Sequence, residues 1–253
     1  MGLMIDHRHY LPILKGKAGE YDALKHVFPG VKPLLTPIIE VPPIDWKYGN
    51  ELGVPTEPKS TIDEHVSGVP ESIRKCWGTG LRVFIDLPHV EESGSLVDGS
   101  HPLAYVFDQG RELGLHAIPV TGIGRSNEYQ NAVIEAVQRD GRGVCIRIDR
   151  ERCLAPTSLG THLQSLVMTL NVGFDEVDLI LDLGAIKSDE VKDLQTIVSS
   201  LIRDLPWVDE WRTIAVAATS MPKGVTRDMK RFSVKRICRL ERSLWRAITD
   251  ECG

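Results

Sequence analysis

Short apolar runs recur along the chain, and most lead into stretches whose apolar residues repeat at helical spacing. The runs are YLPIL (10–14), LTPIIEV (35–41), LRVFID (81–86), AIPVT (117–121), VCIRI (144–148), VDLILD (177–182) and TIAVAAT (213–219). Several are continuous rather than alternating, which marks strands covered on both faces. Residues 126–139 place Ala132, Val133, Ala136 and Val137 on one helical face, with Ser126 positioned as a cap. Residues 157–170 do the same with Leu159, Leu163, Leu166, Val167 and Leu170, and 188–205 with Val191, Leu194, Ile197, Val198, Leu201 and Ile202. A last helix is predicted over 232–248. Strands that alternate with helices predict a parallel sheet.

Seven such βα units can be counted. The reading is an α/β fold, a TIM-barrel-like (β/α) barrel forming a single domain over 1–253, with seven recognisable strands and the eighth missing or irregular. The 253 residues suit one barrel. A doubly wound open sheet is the alternative, although no G-x-G-x-x-G follows the first strand. Residues 41–59, rich in Pro and Gly, read as a long loop after the second strand, and 89–102 as a loop after the third. In a barrel both lie on the rim that carries function.

Composition narrows the class. An apolar fraction of 42% and a charged fraction of 26% fit a soluble globular protein and exclude collagen-like, disordered and coiled-coil chains. The five cysteines are odd in number and include no C-x-x-C, which reads as reduced thiols in the cytoplasm. The first ten residues carry Asp6, His7, Arg8 and His9 and lack the apolar core of a signal peptide. No run approaches the length of a membrane span.

The strand ends are rich in polar groups: Lys15, Glu40, Asp86, Thr121, Arg147, Asp182 and Ser220. In a barrel, such positions at C-terminal strand ends are the first candidates for a site. Glu40, Asp86 and Asp182 each follow a strongly apolar run, so they are desolvated unless paired or facing a cavity. With Lys15 and Arg147 they would make a charge-balanced ring. One chemistry for it is a Mg²⁺ ion at Glu40, Asp86 and Asp182, with Lys15 and Arg147 holding a phosphate. Another is acid–base catalysis by neighbouring carboxylates without any cofactor. The same residues would equally serve as a structural ion-pair network or as caps of the following helices. Lys15, Glu40, Asp86, Arg147, Asp182 and Ser220 are the hypothetical catalytic set.

The net charge of −5 hides an asymmetry. Residues 223–246 hold nine Lys or Arg against two acids, a local +7, so the remainder carries −12. On a helix, Lys235, Arg239, Arg242 and Arg246 fall on one stripe, opposite Ile237, Leu240, Leu244 and Ile248. The stripe is a candidate partner-binding surface, with an acidic protein favoured over nucleic acid because no stacking aromatics interleave with it. A plain solvated face has the same pattern.

Several segments together resemble the Beta protein family of phages and bacterial genomes. They are YLPILKGK (10–17), TPIIEV (36–41), IDL (85–87), IPV (118–120), IRI (146–148), DLILDLG (178–184), WR (211–212) and TSMP (219–222). The likeness runs from about residue 9 to 246, and the strand-end residues above coincide with its motif positions. Arg239, Glu241 and Trp245 fit the family's later motif, but Arg242 stands where a Trp is expected. The chain ends at Gly253 without the family's Gly-Asp-Tyr segment, the natural eighth strand. The resemblance implies a role in phage–host conflict, as an immunity or antitoxin-like factor acting on a protein encoded by a neighbouring gene. The rival is a barrel enzyme acting on a phosphorylated or nucleotide-like ligand. Nucleic-acid binding through the basic helix is a third, weaker reading.

Overall fold

The computed structural model describes residues 5–48, 55–89, 94–221, 234 and 236–252. Nine strands and nine helices are found among them. In chain order they are β1 (Ile13–Leu14), α1 (Ala18–Lys25), β2 (Ile38–Glu40), β3 (Trp46–Tyr48), β4 (Pro55–Pro58), α2 (Ile62–Ser67), α3 (Val69–Cys76) and β5 (Arg82–Asp86). Then come α4 (Pro102–Glu112), β6 (His116–Thr121), α5 (Asn127–Asp140), β7 (Val144–Ile148), α6 (Arg150–Leu154) and α7 (Leu159–Leu170). The last four are β8 (Val177–Ala185), α8 (Val191–Asp204), β9 (Thr213–Thr219) and α9 (Leu240–Cys252).

The seven predicted strands form one sheet in the order β1-β2-β5-β6-β7-β8-β9, which is chain order. The pairs β1·β2, β2·β5, β5·β6 and β8·β9 are parallel. This is the α/β arrangement of successive βα units, and no eighth strand of that sheet occurs among the described residues. The chain divides into two compact units, Met1–Cys145 and Ile146–Gly253.

In the first unit β2 is buried at every residue, and β5 and β6 at all but their first. That burial is why their runs are continuous: Ile38, Ile39, Val83, Phe84, Ile85, Ile118 and Val120 all have apolar cover. The cover includes Ile73 of α3, Leu103 and Phe107 of α4, and Tyr129 and Val133 of α5, each at most 2% exposed. α5 starts as expected, with Ser126 Oγ accepting from the Tyr129 amide at 3.1 Å. In the second unit β8 buries Leu179, Ile180, Leu181 and Leu183, α7 buries Leu163 and Leu170, and α8 buries Leu194 and Val198.

Three expectations are corrected. Residues 41–59 are not simply a loop: β3 and β4 pair antiparallel there, with Lys47 opposite Glu57 and their side chains 2.9 Å apart. Opposite charges across strands are the cue that favours such a hairpin. The short α6 was not predicted; Asp149 caps it by accepting from the Arg152 amide at 2.9 Å. The last helix begins at Leu240, and residues 236–239 lie outside it. The Cys238 carbonyl accepts from Ser220 Oγ at 2.9 Å, and the Leu240 amide donates to the same hydroxyl oxygen at 3.3 Å. Ser220 thus binds the backbone just before α9 to the end of β9, where the helix would otherwise have continued.

Candidate functional site

In the first unit, the ends of β1, β2, β5 and β6 carry the polar groups. Glu40 and Asp86 are register partners on adjacent strands. Their side chains are 4% and 0% exposed. Lys15 Nζ donates to Glu40 Oε1, and His89 Nε2 stands 3.8 Å from the same oxygen. The turn after Lys15 needs glycine. Gly16 has φ +61°, and a Cβ there would come within 3.2 Å of the Tyr21 hydroxyl and 3.3 Å of the Glu40 carbonyl. Asp86 Oδ1 accepts from Arg125 Nη2 at 2.9 Å. Arg125 also lies over the Tyr129 ring, 4.9 Å from its centre. Tyr129 in turn donates its hydroxyl to the Val120 carbonyl at 2.9 Å and accepts from the Leu87 amide at 3.3 Å. One aromatic side chain therefore joins the ends of β5 and β6 and supports the arginine that neutralises Asp86. Thr121 is wholly buried and donates to Gln130 Oε1 at 2.9 Å, a structural contact.

In the second unit, Arg147 of β7 reaches Asp182 of β8. Its Nε and Nη2 donate to Asp182 Oδ2 at 2.9 and 2.6 Å. The other carboxylate oxygen, Oδ1, accepts from the Gly184 amide at 2.9 Å. Gly184 has φ +61°, the left-handed turn that lets its amide face back toward Asp182. Arg150 braces the same strand end, donating to the Leu183 and Ala185 carbonyls at 2.8 and 3.2 Å and to Glu190 at 3.0 Å. The nearby Cys153 thiol is pushed up to about 12, by burial first and then by the charges of Asp149 and Asp182. At the other end of β8, Asp178 is fully buried and receives Arg212 Nη2 at 2.6 Å and Nε at 3.1 Å.

Ser220 belongs to a third network. Its hydroxyl has one proton and two acceptors in reach, the Cys238 carbonyl and Glu241 Oε2. Arg239 Nε donates to Glu241 Oε1. Burial pushes the Glu241 carboxyl up, but the hydrogen bonds from Ser220 and Arg239 outweigh it and hold the group below its ordinary value.

Of the sequence-derived residues, Lys15 meets Glu40 and Arg147 meets Asp182, while Ser220 meets Glu241, which was not in that set. Asp86 finds Arg125, which sequence reasoning did not single out. His89, Tyr129, Arg150 and the Asp178–Arg212 pair were missed as well. The usable signals were small: Arg125 directly follows the glycine turn at the end of β6, and Arg212 directly precedes β9. Among the described residues no group of three His, Cys, Asp or Glu is gathered that could hold a metal ion.

Of the basic stripe, Lys235 lies outside the described residues. Arg239 precedes the helix and is engaged with Glu241. Arg242 and Arg246 are on α9 and exposed, and so is Trp245, at 46%. The indole lies beside the two arginines on the exposed side of the helix.

No helix among the described residues is long and apolar enough to cross a membrane. The fold is similar to that of triosephosphate isomerase from Bartonella henselae, at 12% identity over 83% of this chain and 82% of that one, with a TM-score of 0.42. No curated protein matches the sequence. The model of the Beta protein family matches residues 10–253, which takes in every motif and every ion pair described above. The chain belongs to the Beta protein family.

Proposed function

We propose that the chain is a binding protein of phage–host conflict, an immunity or antitoxin-like factor that neutralises or regulates a toxic or defence partner. The observation that supports this reading is the state of the strand ends. Glu40, Asp86 and Asp182, the carboxylates a catalyst would use, are each held by a basic side chain of their own unit. Both oxygens of Asp182 already accept hydrogen bonds. Groups tied in this way hold strand ends in place, as buried charges must be paired to be tolerated.

The enzyme reading rests on one feature. Lys15 is 56% exposed and His89 39%, both beside the buried Glu40, so a phosphorylated ligand could approach two basic groups there. Magnesium at the strand-end carboxylates would have to displace their arginines and Lys15.

The two readings separate in one experiment. The chain is expressed together with the product of the adjacent gene, and surviving cells are counted. Lys15→Ala combined with Asp182→Asn is expected to rescue as well as the wild type, with folding checked by circular dichroism. Loss of rescue in a folded double variant would favour the enzyme.

A further inference from the structure

α9 has two unlike faces. Its inner face presents Leu244 and Ile248, 1% and 7% exposed, and the helix packs on α8 and β9. Near its end, Glu251 accepts from Gln195 Nε2 and Arg203 Nη1 of α8, each at 3.3 Å. These contacts fix the rotation of the helix and so fix what points away. Arg242 and Arg246, four residues apart, lie on the outer side, with Trp245 beside them. Arg236 and Arg239 are exposed just before the helix. Among the described residues, neither Arg242 nor Arg246 makes an ion pair, whereas Arg125, Arg147, Arg150 and Arg212 all do.

We propose that this outer face of α9, with Arg242 and Arg246 beside Trp245, is the docking site for an acidic segment of a protein partner. The inference rests on the binding reading above and names the chemistry of the partner. Charge argues for it: residues 236–246, all of them described, hold four arginines and one acid, a local +3 on a chain whose net charge is −5. Carboxylates would find attraction here and repulsion elsewhere, which sets both position and orientation. Residue type argues for it too. Trp and Arg are among the side chains that most often dominate protein interfaces, and a half-exposed indole gives an apolar contact beside two guanidinium groups. Guanidinium is weakly hydrated and pairs carboxylates in a planar fork, so it gives up water at an interface more readily than an ammonium. A long nucleic acid fits less well. Single-strand binders use several spaced aromatics where this face has one.

The test uses the full chain and a labelled synthetic helical peptide with glutamates at i and i+4 and a leucine between them. Fluorescence anisotropy is expected to show binding that weakens as salt rises. Arg242→Glu with Arg246→Glu, and separately Trp245→Ala, should each weaken it by about tenfold or more. No binding by the wild type, or equal binding by folded variants, would overturn the proposal. So would tighter binding of a labelled duplex DNA, which would assign the face to nucleic acid. In cells carrying the adjacent gene, the arginine-reversed variant should lose rescue. If it keeps rescue, this face is not the docking site while the binding reading stands. If Lys15→Ala with Asp182→Asn is the folded variant that loses rescue, the binding reading itself fails.

Discussion

Arginine does opposite things in two regions of this molecule. At the strand ends, Arg125 and Arg147 have side chains only 17% and 18% exposed, each holding a carboxylate that is itself buried or nearly so. On α9, Arg242 and Arg246 stand in water on the outer face. The first pair answers a need inside the chain, because Asp86 and Asp182 end apolar strands and could not remain charged there alone. The second answers nothing within the described fold. Charge that the fold uses is distinguished from charge left at the surface by burial and pairing, not by residue type.

Breaking the buried side of this contrast should have the largest effect. Asp86→Ala leaves Arg125 beside Tyr129 with no carboxylate, and it is expected to cost about 3–5 kcal/mol in denaturant unfolding. A loss below about 1 kcal/mol would place the pair with ordinary surface ion pairs. Asp182→Ala removes an acceptor of Arg147 and of the Gly184 amide at a more accessible site, so a loss of about 2 kcal/mol is expected from the same measurement.

An intermediate case sharpens the comparison. Glu241 is held below its ordinary value, so the stability it contributes is full above the unfolded-state pKa. It is lost as pH falls through the folded value. Thermal melts from neutral to acid pH should therefore show an acid-side decline that Glu241→Gln reduces; identical declines would mean the Ser220–Glu241–Arg239 network does not hold α9 to β9. The smallest effect belongs to the exposed side. Arg242→Glu with Arg246→Glu should change stability by no more than about 0.5 kcal/mol per site. A larger loss would mean that these arginines support the fold.

Much of the fold could be read from periodicity. All seven strands of the sheet sit on the runs that marked them; β2, β5, β6, β7 and β8 are mostly buried, and a strand covered on both faces is continuously apolar. The Ser126 cap was legible for a local reason, a hydroxyl one residue before a helix. What stayed hidden depended on distance in the chain. Arg125 meets Asp86 across 39 residues and Arg212 meets Asp178 across 34, and no local pattern announces either. The late start of α9 was hidden likewise, since Ser220, 20 residues earlier, holds the backbone before Leu240.

The proposed division of labour between strand ends and helix face is tested most directly by counting surviving cells that express the product of the adjacent gene with each of two variants. Lys15→Ala with Asp182→Asn should rescue as the wild type does, and Arg242→Glu with Arg246→Glu should not, with both variants folded. The reverse result, rescue lost at the strand ends and kept on α9, would contradict it.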